Sequence, residues 1–227
     1  SKQDSWNNGI LNFWDDFSED GVLVERDELE DQDPMASLAI KKLIQPHEKK
    51  TFTFFLTWNF PNRKAWSNTI VGNYYSQLYF DAWDAAEKII PQIPDLEKKT
   101  LSFVNTLLKS SYPGIVKEAA LFNLATLRSQ TVFRLPDGHL MGWEGVMDRF
   151  GSCHRSCTHV WNYEVATPFL FGDLAKSMRD VEFNYATKDN GQMNFRVSLP
   201  LQNGKDGYWS AADGQMGCVM KMYREWQ

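Results

Sequence analysis

The change of hydrophobic period near residues 61–73 constrains the fold of this chain more than any other feature. Before it, residues 50–60 alternate early on, with Phe52 and Phe54 on one face and threonines on the other. After it, apolar residues recur at the spacing of one helix face. A period of two is typical of strands and a period near 3.6 of helices. The sequence therefore predicts a β-region followed by a mostly helical region over residues 74–227.

The β-region is predicted to hold three strands. They cover residues 9–18, 37–44 and 50–60, with a hairpin connection at residues 46–49 and an acidic surface loop at residues 18–33. Three strands are too few to close a sandwich, which usually needs about seven. We therefore expect that the chain is an inner part of a longer protein.

The helical region divides at prolines and glycines. Pro91 and Pro94 are predicted to end a first helix, and Asp95 to cap a second. A turn is predicted at residues 135–138, and the break of a helix pair near Pro168. The predicted helices cover residues 75–90, 95–110, 115–133, 158–171, 172–185 and 213–227, with a short strand at residues 193–199.

Composition limits the possible classes of function. The formal net charge is −5 and no Lys/Arg cluster is present, which argues against a nucleic-acid partner. No apolar run approaches 18 residues, so no transmembrane segment is predicted, and residues 1–6 lack the apolar core of a signal peptide. The compartment stays open. Three cysteines are too few for a disulfide scaffold, but fit reduced thiols or a Cys153–Cys157 bridge.

Residues 142–164 combine tryptophans with glycines, cysteines, histidines and carboxylates. A solvated loop does not need the tryptophans, and a buried core does not readily accept the ionisable groups. This mixture is typical of a pocket lining. Glu144, between Trp143 and Gly145, suits a nucleophile that attacks a sugar, although a turn carboxylate that bonds backbone groups has the same pattern.

Other polar residues are candidates for sugar contacts. His159, Trp161 and Glu164 fall on a predicted helix, where Glu164 has the alternative of a solvated ion pair. Asp213 and Gln215 begin the last helix, where an ordinary N-cap is the alternative for Asp213.

The cysteines and histidines of the same region are weak candidates for a metal site. Cys153, His154, Cys157 and His159 include two thiols at a Cys-x3-Cys spacing, without the second cysteine pair of a zinc knuckle. Packed thiols or a local bridge fit these cysteines better than zinc does. A nucleophilic Cys/His pair is not favoured either, because it needs a lowered thiol pKa and a third group that orients the histidine. No metal and no cofactor are predicted.

Several motifs in this order resemble glycoside hydrolase family 116, the group of non-lysosomal glucosylceramidase and bacterial β-glucosidases. Residues 57–62 (TWNFPN) look like the end of its N-terminal β-sandwich, and residues 72–83 like the linker and first helix of its catalytic domain. Residues 138–145 (GHLMGWEG) resemble the segment that holds the family nucleophile, and residues 213–226 a later helix whose leading Asp lies at the sugar site.

The resemblance implies an α+β chain with three parts. Residues 1–62 would end a β-sandwich, residues 63–73 would be a linker, and residues 74–227 would form about the first half of an (α/α)6 barrel. It implies retaining hydrolysis of a β-linked, glucoside-like substrate with Glu144 as nucleophile, while the acid/base Asp lies outside this chain. The implied substrate contacts are Trp143, His159, Trp161, Glu164, Asp213 and Gln215.

One departure from the family pattern concerns specificity. Where the animal enzyme has Tyr-Asp-Val-His after the nucleophile, this chain has residues 158–161 (THVW), after a longer cysteine-containing loop. The sugar contact of that Asp would then fall to His159 or be lost, and Glu164 is a second candidate for the nucleophile.

Two alternatives stay open: an inactive carbohydrate-binding or scaffold fragment, and an inverting (α/α)6 glucosidase with more widely spaced carboxyls. The fragment alone is expected to be inactive. It is also expected to associate with the remainder of its parent chain or with itself through apolar helix faces.

Overall fold

The computed structural model describes residues 9–23, 37–65, 68–129, 131–143, 155–158, 160–163, 165–207 and 209–227. The chain forms two compact units, Ser1–Phe54 and Phe55–Gln227. Helices and two small antiparallel sheets occur together in the described ranges, which agrees with the predicted α+β class. No helix in these ranges has the length and apolar character needed to cross a membrane.

The first unit begins with helix α1 (Gly9–Asp20), so the strand predicted at residues 9–18 is wrong. Ile10, Phe13 and Phe17 recur at the helical spacing of three and four residues. The rings of Phe13 and Phe17 stack with centroids 5.7 Å apart, as neighbours one turn apart on a helix can. The helical period outweighs the β-propensity of the aromatic residues in this segment.

The strands predicted at residues 37–44 and 50–60 are also wrong for the described structure, which gives these segments no ladder partner. The predicted turn between them is present, since the Glu48 amide donates to the Gln45 carbonyl oxygen at 2.9 Å. Phe52 and Phe54 are both exposed. Alternation indicates which side chains share a face, but a strand also needs a neighbour to bond its backbone and a core to cover that face.

The second unit contains six α-helices among its described residues. They are α2 (Ala82–Ile89), α3 (Ile93–Lys109), α4 (Gly114–Asn123), α5 (Thr167–Leu170), α6 (Gly172–Asp180) and α7 (Ala212–Trp226). Short 3₁₀ turns lie at Tyr74–Gln77, Ile90–Gln92, Leu124–Arg128, Val160–Tyr163 and Leu201–Asn203, and one π-turn at Val181–Tyr185.

Five of the six predicted helices are present, but several of their ends differ. The helix predicted over residues 158–171 is wrong, because the described residues there form a 3₁₀ turn at Val160–Tyr163 and only the short helix α5. Asp81 caps α2 by accepting a hydrogen bond from the Asp84 amide at 2.7 Å. α2 ends at Ile89, one residue before the predicted end of the first helix at residue 90. Pro91 and Pro94 lie in the first turns of the next helical segments, where a missing N–H costs nothing. Asp95 lies in the first turn of α3 and does not cap it.

The helix predicted over residues 115–133 ends earlier, because the chain turns into a hairpin. Strands β1 (Val132–Arg134) and β2 (Leu140–Gly142) pair antiparallel, with Phe133 opposite Met141. The predicted turn at residues 135–138 connects them, and Gly138 adopts a φ of 100° there. A second pair joins β3 (Ser156–Cys157) to β4 (Arg196–Val197), within the predicted strand at residues 193–199.

The hairpin lies between two parts of the core. Successive strand residues point to opposite sides. Phe133, Met141 and Trp143 contribute to a larger cluster with Val181, Val197 and Cys218. Leu140 packs with Trp161 and Met178 on the other side. Both sides of the hairpin are therefore covered, and its last strand leads directly to Trp143 and the predicted nucleophile.

Candidate active site

The strand that precedes Glu144 is described in full, whereas Glu144 itself is not. Glu144, His159, Glu164, Cys153 and His154 all lie outside the described residues. Their predicted roles stay predictions. The described elements that flank these residues are β2, β3, the turn Val160–Tyr163 and α7.

Gly142, the last residue of β2, lies directly under the ring of Trp161. A Cβ atom at Gly142 would come 1.7 Å from the Trp161 ring, so only glycine allows this approach. Ser156 of β3 holds the same residue from the side, with its hydroxyl donating to the Gly142 carbonyl oxygen at 2.5 Å and accepting from the Gly142 amide at 3.3 Å. These contacts fix the backbone two residues before Glu144.

The short turn Val160–Tyr163 connects this strand to the start of α7. Its Asn162 donates from Nδ2 to the Asp213 carbonyl oxygen at 3.0 Å. A Cβ atom at Gly217 would lie 1.8 Å from the Asn162 amide nitrogen, so the turn also packs closely on α7. Two predicted regions of the site, the end of β2 and the beginning of α7, are thus held together by adjacent residues, Trp161 and Asn162.

The described candidate residues differ in exposure. Trp143 and Trp161 are buried, at 6% and 2% exposed. Asp213 is exposed in the first turn of α7, whose N-cap is Ala211, so the N-cap interpretation of Asp213 is wrong. Both polar atoms of the Gln215 side chain bond to the backbone. Nε2 donates to the Gly191 carbonyl oxygen at 2.8 Å, and Oε1 accepts from the Met193 amide at 3.3 Å.

His139 ties the hairpin turn to α6. Its Nε2 lies 2.7 Å from Asp180 Oδ2, and its Nδ1 lies 3.0 Å from Asp137 Oδ1. Burial lowers the pKa of His139, but the hydrogen bond with Asp180 and the nearby Asp137 carboxylate outweigh it and hold the pKa above its ordinary value. The hydrogen bond with His139 and a second one from Asn184 keep the pKa of Asp180 below its usual range.

A buried ionic cluster lies behind β2 and was not predicted. Glu182 Oε1 accepts hydrogen bonds from Lys221 Nζ at 2.7 Å and from Arg179 Nη2 at 3.2 Å, and Oε2 lies 3.0 Å from Arg179 Nη1. Each of these three side chains is almost fully buried. Arg179 Nε also lies 3.7 Å from Glu225 Oε2. Burial raises the pKa of Glu225, against the effect of Arg179. Only the Arg179–Glu182 spacing of three residues hinted at this cluster, because Lys221 is far away in sequence.

Glu182 connects this cluster to the supports of β2. It lines a cavity of about 20 Å³ together with Gly142, Ser156, Thr158 and Trp161. A cavity of that size has room for about one water molecule. The charge cluster therefore lies against the elements that fix the strand before Glu144.

The described cysteines, Cys157 and Cys218, are buried in the core. Cys153 lies outside the described residues, so the choice between packed thiols and a Cys153–Cys157 bridge stays open. Burial and the nearby Glu182 carboxylate raise the pKa of Cys218 to about 12, so this thiol is unsuited to nucleophilic chemistry. In the described part of the chain, no group of three His, Cys, Asp or Glu side chains could hold a metal ion.

Replacing Gly142 with Ala is expected to destabilise the protein by about 1–3 kcal/mol, because a buried indole ring must move to admit the methyl group. The free energy of unfolding from urea titration measures this loss. Gly114→Ala is the matched control, since a Cβ there meets nothing within 4 Å. That variant should change stability by less than about 1 kcal/mol. Equal effects of the two substitutions would contradict the close packing of Trp161 on Gly142.

Part of the chain is similar to a domain of glycoside hydrolases. Residues 2–96 match the model of an N-terminal domain from a family of these enzymes. The family is glycosyl-hydrolase family 116, and the matched model is described as beta-glucosidase 2, glycosyl-hydrolase family 116 N-term. The resemblance to this family predicted from the motifs is therefore confirmed, through a match that covers less than half of the chain. A search of curated proteins gave no significant match.

The match connects the chain to enzymes that act on carbohydrates. It runs through the predicted sandwich end and linker and includes the whole of α2. Glycoside hydrolase is the class of activity that it supports, with a carbohydrate as the class of substrate.

Proposed function

We propose that the chain is part of a retaining β-glycosidase that hydrolyses a glucoside-like substrate, with Glu144 as nucleophile. The family match over residues 2–96 carries this proposal. In retaining hydrolysis, one carboxylate attacks the anomeric carbon and a second carboxyl, about 5–5.5 Å away, protonates the leaving oxygen. We propose that the second group is an acid/base Asp in another part of the parent protein.

The supports of β2 favour Glu144 as the group that attacks. A nucleophile must be held within a fraction of an ångström of its productive position, and rigid supporting contacts provide this. Trp161 and Ser156 hold Gly142 from two directions, two residues before Glu144. Because Trp143 and Trp161 are buried, we propose that they act mainly by fixing this strand, whereas the exposed Asp213 carboxylate is better placed to reach sugar hydroxyls.

The larger architecture follows the same proposal. Residues 1–62 would end a β-sandwich, residues 63–73 would link it, and residues 74–227 would form part of an (α/α)6 barrel. Large apolar side chains on α3, α4 and α7 are exposed, among them Leu101, Ile115, Phe122, Met220 and Trp226. This supports association with the remainder of the parent chain or self-association, and an inactive isolated fragment.

The stereochemistry of hydrolysis tests this function. The full-length parent is expected to hydrolyse an aryl β-glucoside and to release the β-anomer of the sugar first, which NMR of the fresh product detects before mutarotation. Initial release of the α-anomer would favour an inverting glucosidase, with carboxyls about 6.5–9.5 Å apart. Saturable sugar binding by calorimetry without any turnover would favour the carbohydrate-binding scaffold.

A further inference from the structure

A second cavity lies beside the hairpin and shares no residue with the predicted glycosidase site. It has a volume of about 840 Å³ and is lined by residues 59–63, residues 73–75, Leu127 and both strands of the hairpin. That volume is within the range of sites for small organic molecules. Apolar side chains such as Phe60, Leu127 and Leu140 form part of its wall.

Hydrogen bonds between the segments fix the shape of this cavity. Asn73 donates from Nδ2 to the Phe60 carbonyl oxygen at 2.7 Å, and the Phe60 amide donates to the Tyr75 hydroxyl at 3.1 Å. Asn59 donates to the Tyr79 carbonyl oxygen at 2.8 Å and accepts from Ser76 at 2.9 Å. The lining is therefore organised before any ligand arrives, which lowers the cost of binding.

Two arginines in this lining are held against aromatic rings. The guanidinium carbon of Arg63 lies 3.8 Å from the centre of the Phe133 ring, and that of Arg134 lies 3.8 Å from the centre of the Tyr74 ring. Stacking of this kind fixes the plane of the guanidinium group and leaves its N–H edge available for hydrogen bonds.

Neither arginine has a carboxylate partner among the residues that the structure describes. Arg134 donates from Nε to the Gly138 carbonyl oxygen at 2.9 Å, and its terminal amino groups meet no described acceptor. Arg63 has no described hydrogen bond from its side chain, and burial lowers its pKa below the ordinary value. Withdrawing a cation from water without a counter-charge costs free energy, which a bound anion would offset.

We propose that this cavity is a binding site for a small organic anion, in which an oxyanion group bonds to Arg63 and Arg134. Guanidinium groups pair with carboxylate and phosphate oxygens through parallel N–H donors. The apolar walls and the volume indicate that the anionic group is carried on a ring. A sugar phosphate and an aryl phosphate share this chemistry, and the choice of probe separates them.

Titration calorimetry of the intact chain with glucose 6-phosphate, phenyl phosphate, inorganic phosphate and glucose tests this site. We expect saturable binding of at least one ring-bearing phosphate, at least about tenfold tighter than inorganic phosphate, and no measurable binding of glucose to the same site. Preference between the two ring-bearing probes identifies the ring. Arg63→Gln and Arg134→Gln should each weaken that binding by about tenfold or more, because each removes charge-assisted hydrogen bonds.

Arg196→Gln is the matched control. Arg196 also stacks over an aromatic ring, 4.8 Å from the centre of Phe195, but it does not line this cavity. It should change the affinity by less than twofold. Arg63→Lys and Arg134→Lys keep the positive charge but lack the planar guanidinium group, so an intermediate loss of affinity is expected.

A thermal unfolding midpoint for each variant separates recognition from packing. The proposal expects Arg63→Gln to keep the unliganded midpoint within a few degrees of wild type, since that cation has no described counter-charge to lose. It is overturned if no phosphate probe binds saturably, if Arg196→Gln weakens binding as much as Arg63→Gln does, or if the arginine variants lose stability while affinity stays unchanged. None of these outcomes depends on hydrolysis at Glu144.

Discussion

Replacing Glu144 with Gln in the full-length parent is expected to reduce turnover of an aryl β-glucoside by roughly 10⁴-fold or more. The amide has nearly the same shape as the carboxylate, but it forms no glycosyl ester and gives no negative charge to an oxocarbenium-like transition state. Steady-state measurement of kcat gives the loss. Calorimetry with glucose should still show binding, because the substitution removes the reaction and leaves the shape of the site.

Glu164→Gln is the control for this experiment, because Glu164 is the second candidate for the nucleophile. Its turnover should stay within about tenfold of wild type, since one lost side-chain hydrogen bond to the substrate has an effect of that size. Turnover of Glu144→Gln within about threefold of wild type would refute the assignment. A large loss at Glu164 with little loss at Glu144 would transfer the role to Glu164.

The positions of the helices were largely predictable from the sequence. Helical spacing, together with prolines and glycines, located α3, α6 and α7 to within a few residues. Their ends were less predictable, because a proline can either end a helix or occupy its first turn. Pro94 lies in the first turn of α3, and only the backbone bonds of its neighbours distinguish the two cases.

The β-region was predicted poorly, for a physical reason. Alternation along residues 50–60 shows which side chains would share a face, but it contains no information about a partner strand. For residues 9–18, aromatic composition favoured a strand, whereas the spacing of Phe13 and Phe17 fitted a helix equally well, and the helix formed.

For the candidate site, the sequence indicates residues but not their geometry. The density of Trp, Gly and carboxylates in residues 142–164 predicts a pocket lining, and this stays a prediction because Glu144, His159 and Glu164 lie outside the described residues. That Trp161 would be buried against Gly142 could not be known, because it depends on a contact between residues 19 positions apart. Lys221, which pairs with Glu182, is 39 positions away in the sequence, so the Lys221–Glu182 ion pair has no local sequence signal.

Glu182→Gln is expected to lower the free energy of unfolding by about 3–5 kcal/mol. The substitution keeps the volume of the side chain, so it creates no cavity, but it leaves Arg179 and Lys221 as buried cations. Among the described residues, Glu225 is then the carboxylate that remains beside Arg179. Removing one member of a buried charged group is costly because the remaining charges have lost water as well as their partner. Urea unfolding followed by circular dichroism measures the change.

An exposed ion pair in the same chain provides the control, because it has the same geometry and a different environment. Lys99 Nζ lies 2.7 Å from Asp95 Oδ2, the same distance that joins Lys221 to Glu182, but both side chains of that pair are more than half exposed. Asp95→Asn should cost no more than about 0.5 kcal/mol, since water and salt screen exposed pairs. If burial is the cause, the loss of unfolding free energy in Glu182→Gln must exceed this value several-fold. Lys221→Met should also cost less stability in the Glu182→Gln background than in wild type, because there it removes an unpaired cation. Equal losses at Glu182 and Asp95 would show that distance alone sets the energy and would exclude a structural role for the cluster behind β2.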